Sequence, residues 1–194
     1  MSLVSKAERE PEMTKGVKET TSADDPGDRE GSILFGSINP DRIRQVCLEV
    51  VKLFHEDPRK PIRLILNSGG GDVDPAIGFW EFVKHRKIPL EVDTYFSADS
   101  AAIIVLCAGQ TRRATSRSTF LFHPIGRTVE GRLFRKDFVF HARDIGHVES
   151  VFSEVVGTVT KRKPRDVRRL MNRVTTLSAE DAQKFGLIHE IIEV

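Results

Sequence analysis

Apolar side chains recur between residues 32 and 192 in two spacings, one typical of amphipathic helices and one typical of short buried strands. The pattern predicts strands over residues 33–35, 61–66, 90–95, 119–122 and 187–194. It predicts helices that begin near residues 40, 74, 101, 133 and 179. Asn39 and Pro40 supply an N-cap and a first-turn proline for the first helix. Because strands and helices alternate, the pattern indicates an α/β domain with a largely parallel sheet.

One predicted helix is much longer than the others and runs from about residue 133 to residue 161. Its apolar face consists of Phe138, Ile145, Val148, Phe152, Val155 and Val159. This length favours an element that projects and packs against a partner, rather than a simple surface helix.

Composition favours a soluble, cytoplasmic protein. The chain has 194 residues, of which 39% are hydrophobic and 30% charged, and it is long enough to bury a sizeable core. No apolar run reaches the roughly 20 residues that span a bilayer, and the N-terminus carries no apolar signal segment. Cys47 and Cys107 lie within apolar patterns, so we expect reduced core thiols rather than a disulfide or a metal site.

Charge is distributed unevenly along the chain, although the net charge of +2 is too small to indicate a nucleic-acid partner. Residues 1–31 carry five basic and eight acidic side chains with almost no large apolar ones, which predicts a flexible polar tail before a domain over residues 32–194. Basic residues concentrate in residues 161–173. No aromatic residues interleave them, so a solvated helical face is favoured over a nucleic-acid site.

Three segments carry the residue types of acyl-transfer chemistry. Ser100 opens a short apolar run, where its hydroxyl would lie at the positive end of a helix. A glycine-rich turn occupies residues 67–73, and His123 ends the strand over residues 119–122. Each has a simpler explanation, namely an N-cap, a tight turn and a core histidine. Because all three follow strands whose carboxyl ends form the ligand crevice of such a sheet, their combination favours a serine hydrolase.

The same segments resemble the family of ClpP, the caseinolytic serine peptidase of the Clp system, over about residues 32–192. Asn67-Ser68-Gly69-Gly70-Gly71 is similar to the family's Asn-Ser-Pro-Gly-Gly, and Ala98-Asp99-Ser100-Ala101-Ala102-Ile103 to its Ala-Ala-Ser-Met-Gly-Ala. Further matches are Leu121-Phe122-His123-Pro124, His141-Ala142-Arg143, Leu177-Ser178-Ala179-Glu180-Asp181-Ala182 and Phe185-Gly186-Leu187-Ile188. The resemblance implies the ClpP/crotonase fold, a spiral of βα units with a projecting long handle helix.

The resemblance also implies roles for individual residues. Ser100 would be the nucleophile and His123 the general base, while the backbone N–H groups of Gly71 and Ala101 would form the oxyanion hole. The family's third catalytic residue, an aspartate, is replaced here by Val174, which cannot accept a hydrogen bond from an imidazole. Asn172, water or a backbone carbonyl could orient the ring instead, so the third member of the triad is left unassigned.

Three further positions depart from the family pattern. Asp99 stands where the family has alanine, and it adds a negative charge beside the nucleophile. Phe96 replaces a glycine, and Gly69 replaces the proline of the glycine turn, which loosens that loop.

The resemblance implies a serine endopeptidase subunit that hydrolyses unfolded polypeptides inside an oligomeric chamber, with no cofactor or metal. Its partners would be copies of itself in a heptameric or double-heptameric ring and a ring-shaped unfoldase ATPase, with no nucleic acid and no membrane. Val174 and Asp99 leave a second hypothesis open, a weakly active or inactive scaffold subunit. A third is a crotonase-type enzyme acting on acyl-CoA, although the chain offers no glutamate pair near Gly71 or Ala101.

Overall fold

The computed structural model describes residues 31–193. The strands of this part of the chain are β1 (Gly31–Phe35), β2 (Ile62–Ser68), β3 (Leu90–Ala98), β4 (Thr111–Thr115), β5 (Thr119–Phe122), β6 (Thr175–Ser178) and β7 (Glu190–Ile192). Its helices are α1 (Pro40–Glu56), α2 (Val73–His85), α3 (Ala101–Ala108), α4 (Arg135–Thr160), α5 (Pro164–Asn172) and α6 (Ala179–Phe185). The tail expected over residues 1–31 lies outside the described residues apart from Gly31, which begins β1.

Five parallel strands form the main sheet in the order β1-β2-β3-β4-β7. β3 pairs with β4 as far as Thr94, and its carboxyl end then pairs with β5 through Ser97 and Thr119. Phe96 lies between these two pairings with a positive φ of 77°, at the position where the related family carries a glycine. β5 in turn pairs antiparallel with β6. The predicted α/β domain with a largely parallel sheet is therefore confirmed.

Local signals in the sequence account for the elements that precede the site. The Asn39 side chain accepts a hydrogen bond from the Arg42 N–H at 2.8 Å, which caps α1 as predicted. Alternate residues of β2 are buried, with Leu64 and Leu66 fully inaccessible. These apolar side chains fix the register of β2 and so the place where its glycine turn begins.

The short helix α3 lies at the centre of the core, since none of its eight residues is more than 1% exposed. Two cationic side chains donate hydrogen bonds to carbonyl groups at its carboxyl end. Lys84 Nζ donates to the Ala108 carbonyl at 3.0 Å, and Arg112 Nη1 donates to the Gly109 carbonyl at 3.1 Å. These contacts satisfy carbonyls that a helix end leaves unpaired and place positive charge at the negative end of the helix dipole.

The sequence pattern missed β4 and β6. Because β4 contains two arginines, its sequence is typical of an exposed polar segment, yet Arg112 is only 5% exposed. Arg112 Nε donates to the Leu187 carbonyl at 2.7 Å, and Arg113 pairs with Asp93 at 2.6 Å. These partners are distant in sequence, and they satisfy guanidinium groups whose burial would otherwise be costly.

Both cysteines are free thiols, as expected. Burial raises the pKa of Cys107 to about 12, so this thiol is not reactive at neutral pH. The basic run forms the turn after α4 and the whole of α5, with Val167 and Met171 buried and the basic side chains exposed. No helix within residues 31–193 has the length and apolar character needed to cross a membrane.

His189 makes the attachment of β7 to β4 sensitive to pH. The Arg112 N–H donates to His189 Nδ1 at 3.1 Å, and Arg112 Nη2 lies 2.9 Å from His189 Nε2. A neutral imidazole can accept one of these donors, whereas a protonated ring can accept neither. Desolvation and the nearby Arg112 charge lower the pKa of His189 below its ordinary value of 6.5.

We therefore expect the free energy of unfolding to fall as the pH drops below about 6.5. In this range the unfolded chain binds a proton that the folded His189 resists. A His189→Asn variant keeps a side-chain acceptor but cannot titrate, so its stability should depend less on pH. Thermal unfolding of both chains at pH 7.5 and 5.5 measures the difference, and an equal pH dependence would contradict the assignment.

Candidate active site

The three segments singled out in the sequence meet at one edge of the sheet. Gly71 follows β2, Ser100 follows β3 and His123 follows β5. Together with Ala101 they line one pocket of about 120 Å³, which Arg127, Phe152 and neighbouring loop residues complete. β4 lies between β3 and β5 in the sequence, but the carboxyl end of β3 pairs with β5 and not with β4. The predicted site residues are therefore brought together.

The glycine turn requires glycine for geometric reasons. Gly70 and Gly71 have φ values of 95° and 141°, which other residues rarely adopt. A Cβ on Gly70 would lie 2.7 Å from the Asp99 carbonyl oxygen, and one on Gly71 would overlap the Ile38 carbonyl oxygen. Ile38 bonds to the turn on both sides of Gly71, through Gly70 and Asp72. Within residues 31–193 the Gly71 N–H donates no hydrogen bond, so it is available to a ligand.

Ser100 does not cap the helix that it precedes, because its side chain makes no capping hydrogen bond to α3. Its backbone adopts φ 55° and ψ −123°, a strained conformation for a residue with a side chain. The Ser100 N–H donates to the Leu121 carbonyl at 2.8 Å. The next N–H, of Ala101, donates no hydrogen bond among the described residues. The turn thus presents a hydroxyl and an unpaired amide at the positive end of α3.

His123 is oriented by its own chain. Its Nδ1 lies 2.7 Å from the Pro124 carbonyl oxygen. Because a carbonyl only accepts hydrogen bonds, Nδ1 carries the proton in the neutral ring, and Nε2 of that neutral ring has a free lone pair. Among the alternatives left open by the sequence, the backbone carbonyl orients the ring. This is the tautomer that a general base needs.

Arg127 is a pocket residue that the sequence reasoning missed. Its guanidinium bonds to Asp74 in the first turn of α2 at 3.0 Å and to Asp144 of α4 at 2.9 Å. The hydrogen bond to Asp74, followed by that to Asp144, raises the pKa of Arg127. Glu149 of α4 also accepts from the Ile125 N–H at 3.1 Å. The loop after His123 is thus tied to α2 and α4. No local pattern signals these contacts, because Asp74 and Asp144 lie 53 and 17 residues from Arg127 in the sequence.

The carboxylate of Asp99 is hydrogen-bonded to the backbone of β5. Its Oδ1 accepts a hydrogen bond from the Leu121 N–H of β5 at 2.7 Å. The expected negative charge beside Ser100 is therefore engaged with a backbone donor. No group of three or more histidine, cysteine, aspartate or glutamate residues within residues 31–193 is arranged to hold a metal ion.

Comparison with known proteins identifies the family. The model of the Clp protease family matches residues 28–194. The chain belongs to the Clp protease family. It is 32% identical over 142 residues to an ATP-dependent Clp protease proteolytic subunit 1 of Chlamydia pneumoniae, a match that covers 71% of this chain and 73% of that protein.

Two further relatives extend this result. An ATP-dependent Clp protease proteolytic subunit 2 of Frankia casuarinae is 27% identical over 165 residues, covering 83% of this chain and 75% of its own. A solved ClpP1 variant from Listeria monocytogenes superposes with a TM-score of 0.76 at 20% identity, covering 84% of this chain and 91% of that one. The predicted ClpP-type fold is confirmed, and the named proteolytic subunits support a peptidase.

Val174 stands where the Clp family resemblance places an aspartate. The β5–β6 ladder ends at the pair Phe122 and Thr175, so the next positions outward are His123 and Val174. Val174 adopts φ 49° and is 59% exposed, an unusual conformation and environment for a β-branched residue. The neighbouring Asn172 is also exposed, and the hydrogen bond of His123 Nδ1 goes to the Pro124 carbonyl. Neither side chain replaces the carboxylate.

We expect Gly71→Ala to destabilise this Clp family member by about 2–4 kcal/mol, because its new Cβ would overlap the Ile38 carbonyl at a positive φ. Gly69→Ala is the matched control, since a Cβ there meets nothing within 4 Å. That variant should be neutral or slightly stabilised, because alanine restricts the unfolded chain. Thermal unfolding of both variants measures the effect, and equal stabilities would contradict the required role of Gly71.

Proposed function

We propose that the chain is a ClpP-like serine endopeptidase subunit that hydrolyses peptide bonds of unfolded polypeptides. Ser100 is the nucleophile, His123 the general base, and the N–H groups of Gly71 and Ala101 form the oxyanion hole. The observation that carries the proposal is the single pocket in which these four residues meet, with both amides unpaired among residues 31–193. A hydroxyl, an imidazole and two free donors are the parts that acyl transfer requires.

The chemistry follows from the histidine tautomer. Nε2 of His123 takes the proton of the Ser100 hydroxyl as Oγ attacks the peptide carbonyl carbon. The resulting oxyanion is stabilised by the two N–H groups. The imidazolium then gives its proton to the leaving amine, and the peptide C–N bond breaks to leave an acyl ester on Ser100. Water activated by the same imidazole hydrolyses that ester and restores the hydroxyl.

The Pro124 carbonyl replaces only part of what an aspartate does. It holds the proton on Nδ1, so it fixes the tautomer on which the mechanism depends. In a serine protease of the His-Asp type, loss of the carboxylate with the wrong tautomer costs about ten-thousand-fold in rate. A carbonyl carries only a partial charge and stabilises the imidazolium less than a carboxylate. We therefore infer an activity that is reduced but present.

Assembly into rings forms the second part of the proposal. Exposed apolar side chains cluster at the start of α4, namely Phe134, Phe138, Val139 and Phe140. Their exposure supports a contact with a further subunit, because such apolar patches usually mark interaction sites. Copies of the chain would form heptameric or double-heptameric rings enclosing the pockets, in the cytoplasm. A ring-shaped unfoldase ATPase would deliver the polypeptide.

A scaffold subunit of low or no activity is the second candidate, and Val174 favours it. The exposed valine leaves the outer end of the β5–β6 ladder without a carboxylate. A crotonase-type acyl-CoA enzyme has less support, since no glutamate lines the pocket among the described residues. The peptidase is preferred because Ser100 and His123 are retained with the correct histidine tautomer.

A serine-directed fluorophosphonate probe tests the proposed function. The wild-type chain should be labelled, and Ser100→Ala should abolish the labelling because Ser100 supplies the only hydroxyl among the described residues that line the pocket. Ser116→Ala, which changes an exposed serine in the turn after β4, is the matched control and should be labelled normally. A folded, assembled wild-type chain that the probe does not label would favour the scaffold function.

Val174→Asp should raise the rate of peptide hydrolysis by about tenfold or more, because a carboxylate beside His123 would stabilise the imidazolium. Val174→Asn is the matched control, since asparagine tolerates the positive φ equally well but carries no charge. Steady-state kinetics on a fluorogenic peptide measure both variants. An Asp variant no faster than the Asn variant would contradict this account of position 174.

A further inference from the structure

Asp99 joins the three segments that build the site. Its backbone N–H donates to the Ser68 carbonyl at the end of β2 at 2.9 Å, and its carbonyl accepts from the Ala102 N–H of α3 at 2.9 Å. Its side chain is the third link, to Leu121 of β5. Residue 99 therefore contacts the strand before the glycine turn, the helix that begins with Ala101 and the strand that precedes His123.

Both backbone polar groups of Leu121 bind to residues 99–101, the turn that carries Ser100, which we call the nucleophile turn. The Leu121 N–H donates to Asp99 Oδ1 at 2.7 Å, and the Leu121 carbonyl accepts from the Ser100 N–H at 2.8 Å. Beyond these two bonds, β3 and β5 share one ladder pair, Ser97 with Thr119. The Asp99 carboxylate thus takes the place of the backbone carbonyl that β3 would supply if it did not turn into α3.

The attachment at Leu121 is the direct hydrogen-bonded link between β5 and the turn that carries Ser100, so it contributes to the position of His123 relative to Ser100. The ring is oriented by the carbonyl of the next residue, Pro124, and this contact moves together with β5. It fixes the tautomer but does not tie the imidazole to another segment of the chain. The ties between β5 and the nucleophile turn lie two residues earlier, at Leu121. A shift of β5 would therefore change the distance between the imidazole and the serine hydroxyl.

We propose that Asp99 is a positioning residue, which holds His123 against Ser100 by fixing Leu121 of β5 to the nucleophile turn. This inference rests on the proposed peptidase function. It assigns a constructive role to a residue whose charge, judged from the sequence, weakens the oxyanion site. The hydrogen-bond acceptor at Oδ1 is the required feature, and the negative charge is not.

Two substitutions separate the acceptor from the charge. Asp99→Ala removes the acceptor, so kcat and the rate of fluorophosphonate labelling should fall by about 10- to 100-fold, since small displacements of reacting groups have effects of this size. The KM should stay within about twofold, because Asp99 lies outside the lining of the pocket. Asp99→Asn keeps an oxygen acceptor of the same shape, and it should recover a rate within about threefold of the wild type.

Hydrogen exchange of the Leu121 amide supplies a readout that does not depend on activity. Exchange should be faster in Asp99→Ala than in the wild type and in Asp99→Asn, because only the alanine variant leaves this N–H without its partner. If Asp99→Ala fails to fold, the asparagine variant decides. A large loss of rate with a protected Leu121 amide in that variant would show that the charge matters and would overturn the inference.

The outcomes distinguish this inference from the proposed function. A wild-type chain that the probe does not label defeats the peptidase proposal and, with it, the catalytic part of the inference. A labelled wild type together with an Asp99→Ala variant labelled at the same rate overturns the role of Asp99 alone. Labelling that falls in Asp99→Ala and is recovered in Asp99→Asn supports both.

Discussion

The complete burial of α3 is the constraint on which the site depends. An eight-residue apolar helix inside the core cannot leave its polar ends unpaired without a large cost. Lys84 and Arg112 satisfy its carboxyl end, while Asp99 and Ser100 accept from the N–H groups of Ala102 and Ile103 at the other. The Ala101 N–H is left without a partner within residues 31–193. The same packing that stabilises the core thus leaves one strong donor beside Ser100.

Several residues at the carboxyl ends of β2 and β3, and one just before β6, have strained backbone conformations. Phe96, Ser100 and Val174 all adopt positive φ, and two glycines beside them do the same. Such conformations cost about 1–3 kcal/mol each and persist only where the surrounding structure enforces them. Here the hydrogen bonds of Ile38 and Leu121 hold the turns in place. Of these residues, Ser100 and Gly71 line the pocket itself, and backbone strain at such positions is typical of a functional site.

Replacement of a carboxylate by a carbonyl changes the electrostatics of the site more than its geometry. Pro124 keeps the proton on Nδ1 of His123 as an aspartate would, but it offers little stabilisation to a positive ring. Three carboxylates near the pocket are already committed, that of Asp99 to an amide and those of Asp74 and Asp144 to Arg127. The proposed peptidase would therefore retain the arrangement of its reacting groups while losing part of their electrostatic support.

The sequence by itself determined what depends on local spacing and on residue shape. The alternation of strands and helices, the cap at Asn39 and the glycine turn followed from periodicity and backbone preference, and the motifs around Ser100 and His123 identified the family. Tertiary structure alone decided the rest. It placed the polar β4 in the sheet, the Pro124 carbonyl on the imidazole and the Asp99 carboxylate on β5. Arg127 meets Asp74 across 53 residues of chain. These contacts depend on where distant segments meet in the fold, and no local pattern encodes that.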